Sequence, residues 1–299
     1  MAAPTRASYA YCFARPTHTY LDLNAREDFE REIIVKVNVP ELLRAELAKG
    51  SWKGEHVALG TNTDPYQWVE GRYRLMEGIW EAMRDFRNPC SVLTKSPLLL
   101  RDLSLFRELA ARTEFVANLS IPTLEERAWR TTEPHTPHPR TRIEAVAELA
   151  RAGIPTGVLI APLMPGINDG PGQVEEILEL VGEAGARQVG GVGLHLRGEL
   201  RGIWFDWLRQ YRPDLVGRYE RLYERGAYMA KAERDRLAGR AKGKRKPRRF
   251  GADLRGSRRA PNDRGRRAPV RPNGREPRGP QERGTGAPQR RPQRQARLF

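Results

Sequence analysis

The chain has 299 residues, 39% of them hydrophobic, and a formal charge of +16. No stretch approaches the ~20 apolar residues of a membrane-spanning helix, residues 1–20 hold no apolar run of signal-peptide length, and two cysteines, Cys12 and Cys90, are too few for a disulfide framework. Together these exclude a helical membrane protein and a disulfide-stapled secreted scaffold, and they point to a soluble, cytoplasmic protein in a reducing compartment.

The charge is concentrated. Residues 240–299 hold 21 Lys+Arg against 4 Asp+Glu, whereas residues 1–239 hold 32 against 33. We therefore expect a near-neutral folded domain over 1–239 and an Arg/Gly/Pro-rich basic tail over 240–299. The tail's composition cannot bury enough apolar surface to offset its chain entropy, so disorder is expected there.

In chain order, residues 1–11 show no period. Ile33 to Val37 is β-branched and reads as a strand, and Pro40 opens a helix through Ala48. An alternation then sets in. Strand Val57–Gly60 precedes a helix over 71–86, whose apolar positions are Leu75, Ile79, Met83 and Phe86. Strand Ser91–Thr94 precedes a helix over 101–112 with Asp102 as its cap. Strand Phe115–Ser120 precedes a helix over 141–152 closed by Gly153, and strand Thr156–Ala161 precedes a helix over 172–184 closed by Gly185. Val189 to Leu196 is a glycine-rich strand, followed by helices near 199–210 and 214–226.

Strands separated by single helices indicate βα units and a parallel sheet. Consecutive apolar positions indicate strands buried on both faces. Five or six such units predict an α/β fold of the incomplete (β/α)6-type TIM-barrel kind. A doubly wound sheet is the rival, but the Gly-x-Gly-x-x-Gly turn that would favour a dinucleotide fold is missing.

Parallel α/β folds carry their sites at the carboxyl ends of the strands, and here those ends are polar. The strand ending at Gly60 runs into Asn62 and Asp64, the next into Lys95 and Ser96, the next ends at Asn118 and Ser120, and the last ends at His195 and Arg197. One carboxylate, one ammonium and several amides and hydroxyls on one rim suit a polar, zwitterionic ligand. Blander readings exist for each. Asn62 and Asp64 can build a turn, Lys95 can be solvated, Ser120 can cap, and His195 reads first as a core histidine. His135 and His138 lie in a proline-broken loop without further ligands, which argues against zinc there. Cys90, just before a strand, reads as a small buried apolar residue.

Four segments together resemble a known group: Tyr11-Cys12-Phe13-Ala14-Arg15-Pro16-Thr17-His18, Leu59-Gly60-Thr61-Asn62-Thr63-Asp64-Pro65-Tyr66-Gln67, Leu93-Thr94-Lys95-Ser96 and Ala161-Pro162-Leu163-Met164-Pro165-Gly166-Ile167-Asn168-Asp169. They look like the actinobacterial branch of the radical SAM proteins related to spore photoproduct lyase, over about residues 11–230. The resemblance implies a 4Fe–4S cluster held by a Cys-x3-Cys-x2-Cys loop, with S-adenosylmethionine on the open iron and reductive cleavage to a 5′-deoxyadenosyl radical. It further implies an electron donor such as ferredoxin or flavodoxin, and Asn62, Asp64, Lys95 and Ser120 as the residues handling the methionine moiety, the lysine suiting its carboxylate.

The chain departs from the pattern at the cluster. Cys12 matches the third cysteine, but Tyr9 and Thr5 stand where the second and first belong, and few residues precede them to supply the family's first strand. Hydroxyl and phenol are poor substitutes for thiolate at a soft iron–sulfur centre. A misplaced or frame-shifted start and a homologue that has lost its cluster both fit, and the first is preferred. Either way this polypeptide is expected not to assemble a normal cluster. A second functional reading is nucleic-acid binding through the basic residues 240–299, with nonspecific polyanion affinity as its plain alternative. A third is a barrel enzyme of other chemistry using Asp64, Lys95 and His195.

Overall fold

The computed structural model describes residues 10–242 and the backbone of residues 296 and 297. Among the described residues the strands follow in order: β1 (Glu32–Ile33), β2 (Val57–Leu59), β3 (Cys90–Thr94), β4 (Phe115–Ser120), β5 (Thr156–Leu163), β6 (Gln188–Gly193) and β7 (Ala296–Arg297). β2 to β6 form one five-stranded sheet in the order β2-β3-β4-β5-β6, with every pair parallel. Spatial order equals chain order. A doubly wound sheet reverses its order at a switch point, so that rival is excluded. With right-handed crossovers, the near-universal hand, the connecting helices fall on one face.

The register separates the two faces. Cys90 pairs with Phe115 and Val92 with Ala117, and all four are buried on the helix side. Leu93, Asn118, Gly157 and Gln188 form the alternate row, on the opposite face. On the helix side, Leu75–Asp85 buries Met76, Ile79, Trp80 and Met83 at helical spacing. Trp80, Phe106 and Phe115 meet with ring centroids 4.9–5.7 Å apart. Each such side chain contributes about 1.5–3 kcal/mol through burial.

Behind β2 lies a buried polar chain. Trp80 Nε1 donates to the Tyr66 hydroxyl, which donates to Asp102 Oδ2, both at 2.7 Å. Arg101 then bridges Asp102 and Glu70. Asp102 does precede the helix Leu103–Arg112, but its side chain makes no capping bond. The carboxylate is turned to Tyr66 and Arg101 instead.

Three further boundaries differ from expectation. Of the expected 33–37 strand only Ile33 lies in a ladder, together with Glu32 before it, because among the described residues the backbone that pairs with it is the two-residue β7. The helix expected over 71–86 is broken at Arg74, whose left-handed φ of 50° separates Glu70–Tyr73 from Leu75–Asp85. The helix Lys231–Arg240 packs along β6, and Ala241 is fully buried, so the packed body runs past residue 239. The expected disorder over 240–299 otherwise lies outside the described residues.

Candidate functional site

Gly60 opens the site. Its φ is +84°, and a Cβ there would stand 1.9 Å from the Leu93 carbonyl oxygen, so only glycine permits this turn. The turn sends Thr61 to Asp64 across the end of β3. Asp64 Oδ1 accepts from the Tyr66 amide at 2.9 Å and from the Thr94 hydroxyl at 2.6 Å, and Oδ2 accepts from the Lys95 amide at 2.8 Å. Asp64 is thus a brace that fixes the backbone of Lys95. Asn62, two residues earlier, is exposed on the rim.

Lys95 points into a polar cluster. Its Nζ lies 3.7 Å from Glu133 Oε1 and 5.7 Å from the centre of the Tyr11 ring. The Tyr11 hydroxyl donates to the same Glu133 oxygen. Arg142, fully buried, pairs with Glu133 Oε2 at 2.7 Å and also donates to the carbonyls of Ser120 (2.9 Å) and Pro137 (3.0 Å). Thr136 completes the ring, accepting from Arg142 at 2.6 Å and from Trp129 Nε1 at 2.9 Å. The Ser120 hydroxyl donates to the Ala161 carbonyl at 3.1 Å, tying the ends of β4 and β5 together.

The Cys12 segment lies across these strand ends. Ala10 N donates to the Thr132 carbonyl at 3.3 Å, and Tyr11 reaches Glu133. Downstream, buried Arg15 pairs with Glu30 at 2.7 Å and donates to the Ala25 carbonyl at 2.9 Å. Phe13, half exposed, meets His195 at 5.6 Å between ring centroids, and His195 stacks on Tyr228 at 5.7 Å. Cys12, Lys95, Glu133 and His195 thus gather at the carboxyl mouth of the sheet. Asn168 fastens the loop after β5, holding the carbonyls of Pro122 (2.7 Å) and Pro162 (2.9 Å) and the Met164 amide (2.6 Å).

Protonation follows from this enclosure. Burial, and then the Arg142 charge, bring the Lys95 ammonium down to about 8, although Asp64 and Cys12 pull the other way. Burial pushes the Glu133 carboxyl up against the pull of Arg142. Burial also raises the Cys12 thiol, opposed by a backbone hydrogen bond of Ala14 and by Lys95 and Arg15. His195 is lowered by burial and then by the Arg197 charge, against a backbone hydrogen bond of Gly193.

Glu133 and Arg142 are the residues of this cluster that sequence reasoning missed, and Tyr11 was visible there only as the start of the Cys12 motif, not as a partner of Glu133. Glu133 sits in a proline-broken stretch where the two histidines draw attention first. One of these, His138, accepts from the Arg140 amide at 3.2 Å as a helix cap.

The residues present do not fit a family-type cluster. Three thiolates are needed, and the chain has two cysteines in all. Cys12 alone is at the mouth, while Cys90 is fully buried at the opposite end of β3. Among the described residues, no group of three His, Cys, Asp or Glu side chains is placed to hold a metal ion.

No protein-family profile matches the chain. It is 44% identical over 227 residues to "Uncharacterized protein Rv2578c" of Mycobacterium tuberculosis, a match spanning 76% of this chain and 67% of that protein. The chain belongs to the family of that mycobacterial protein. Family resemblance extends more thinly to "Uncharacterized protein MJ0683" of Methanocaldococcus jannaschii, 28% identical over 53% of this chain and 57% of that protein. Among solved structures the fold is similar to spore photoproduct lyase, a radical SAM enzyme. Its complex with a dinucleoside spore photoproduct superposes with a TM-score of 0.56 at 16% identity, over 78% of this chain and 68% of that one. A point mutant of the lyase gives 0.57 at 17% identity over the same shares. These likenesses establish the family of the mycobacterial protein and a fold like that of spore photoproduct lyase.

Proposed function

We propose that the chain is a radical SAM-type protein of the spore photoproduct lyase-like group, a (β/α) barrel segment that receives S-adenosylmethionine at the carboxyl mouth of its sheet. The observation that carries this reading is Lys95. Its ammonium is enclosed just past the end of β3, beside Cys12 and at the focus of four polar strand ends. In this reading Lys95 takes the ligand carboxylate, and Asn62 and Ser120 offer polar contacts to the rest of the methionine moiety. Asp64 acts through the backbone of Lys95, which it holds.

The same proposal states that this polypeptide does not assemble the 4Fe–4S cluster, since Cys12 is the single thiol at the mouth. Radical chemistry and an electron donor belong to a chain with the two further thiolates. The substrate class supported is nucleic acid. Two observations favour it: spore photoproduct lyase has been solved with a dinucleoside photoproduct bound, and residues 240–299 carry a surplus of basic charge.

Two measurements test the reading. Calorimetric titration of the full chain with S-adenosylmethionine should show binding that Lys95→Met abolishes. Anaerobic reconstitution with iron and sulfide should leave the chain well short of a full cluster, while a Thr5→Cys, Tyr9→Cys double variant should take one up. Unaltered binding in Lys95→Met, or a full cluster on the unaltered chain, overturns the proposal.

A further inference from the structure

We infer that Glu133 is a positioning residue: held by Arg142, it fixes Tyr11 and faces Lys95, and so sets the place of the Cys12 segment at the mouth without any metal. In an iron–sulfur protein the thiolate bonds themselves order the ligand loop. Here the corresponding loop has one cysteine, and a different set of bonds does the holding.

Upstream of Cys12 there are two adjacent ties. Ala10 N bonds the Thr132 carbonyl and the Tyr11 hydroxyl bonds the Glu133 carboxylate, so two consecutive residues grip two consecutive residues. Ala10 and Glu133 are fully buried, and Tyr11 is 6% exposed. Downstream, Arg15 grips Glu30 and the Ala25 carbonyl. Cys12 hangs between these anchors.

Glu133 can serve as an anchor because it is itself immobilised. Arg142 holds its Oε2 and, through separate nitrogens, the carbonyls of Ser120 and Pro137. The guanidinium fork therefore ties the carboxylate rigidly to the end of β4. Its other oxygen serves both Tyr11 and, at 3.7 Å, Lys95. One carboxylate thus places a thiol-bearing segment and an ammonium group relative to each other.

The inference rests on the functional reading above only for the role of Lys95; the placing of Cys12 stands without it. The test is thiol alkylation of the full, reduced chain in the presence of a metal chelator, read by mass spectrometry at Cys12 and at Cys90. Cys90 is fully buried in the core and is the internal control for global opening. Tyr11→Phe keeps the ring and removes the hydroxyl, and Glu133→Gln keeps the volume and removes the charge. Both should raise the Cys12 rate about tenfold or more, as expected for local opening after loss of a hydrogen bond to a charged group, with Cys90 unchanged.

Tyr11→Phe is the deciding variant. If it leaves the Cys12 rate unchanged, or raises both cysteines in step, the inference is overturned, whatever Glu133→Gln does. A chain that shows the Cys12 response but binds no S-adenosylmethionine overturns the functional reading and keeps this one. Binding with no Cys12 response does the reverse.

Discussion

Tyr66 and Tyr11 each donate their hydroxyl to a buried carboxylate backed by an arginine, Asp102 with Arg101 in one case and Glu133 with Arg142 in the other. The surroundings differ. The Tyr66 network lies behind β2, where Trp80 and Glu70 close it and two carboxylates surround one cation. The Tyr11 network lies at the strand ends, where two cations, Arg142 and Lys95, share the carboxylate of Glu133. The first satisfies its own groups and stops. The second turns positive charge toward the mouth, where an anionic group can meet it. Similar parts thus make a structural brace in one place and, in the function proposed above, a receptive site in the other.

The largest effect that separates the networks is on stability. Arg142→Met removes the hydrogen-bonded cation of buried Glu133, leaving Lys95 at 3.7 Å as its remaining positive neighbour, and should cost about 3–5 kcal/mol. Arg101→Met, at a position 19% exposed, should cost less, about 1–3 kcal/mol. Chemical denaturation of the two variants side by side checks the ranking, and equal losses would remove the distinction.

Next comes Tyr66→Phe, which deprives Trp80 Nε1 of its acceptor and Asp102 of a donor. It should destabilise by about 1–3 kcal/mol. Lys95→Met should leave the unfolding midpoint nearly unmoved, or raise it slightly by removing an enclosed charge, while ligand binding is lost. A thermal melt paired with the titration reads both.

The smallest effect is in pH. Lys95 loses its proton as pH rises through about 8, so affinity for a carboxylate ligand should fall above that value. The unfolded chain, with lysine near its ordinary ~10.4, holds the proton longer. The stability contribution of this one group therefore rises with pH between about 8 and 10.4. A binding profile that stays flat across this range, or that Lys95→Met does not alter, would break the assignment.

The fold was legible where apolar residues ran together. Val92, Ala117, Val158 and Ile160 are buried as their runs suggested, and the glycines after two helices, Gly153 and Gly185, have the positive φ expected of terminators. Residues 33–37 show the limit of such reading. They are β-branched, yet a strand needs a neighbour, and the sequence does not say who that is.

In the site, Lys95 was legible because a lysine directly after a buried strand is conspicuous. Glu133 and Arg142 were not, since they occupy a turn rich in proline and the start of an amphipathic helix, where charge is ordinary. Their significance comes from Tyr11, 122 residues away from Glu133 in sequence, and no periodicity links positions that far apart.

The match between spatial and chain order in the sheet has a consequence for how the molecule assembles. β2, β3, β4 and β5 each pair with the strand that follows, so the sheet can extend from one edge as the chain grows, each step closing a short loop. The Cys12 segment precedes the sheet in sequence but cannot dock until Glu133 and Arg142 have been delivered, and its aromatic contact waits longer still for His195. Residues that stand before the sheet in sequence can therefore take their place only after β2 to β4 and the helix that carries Arg142 are available to receive them.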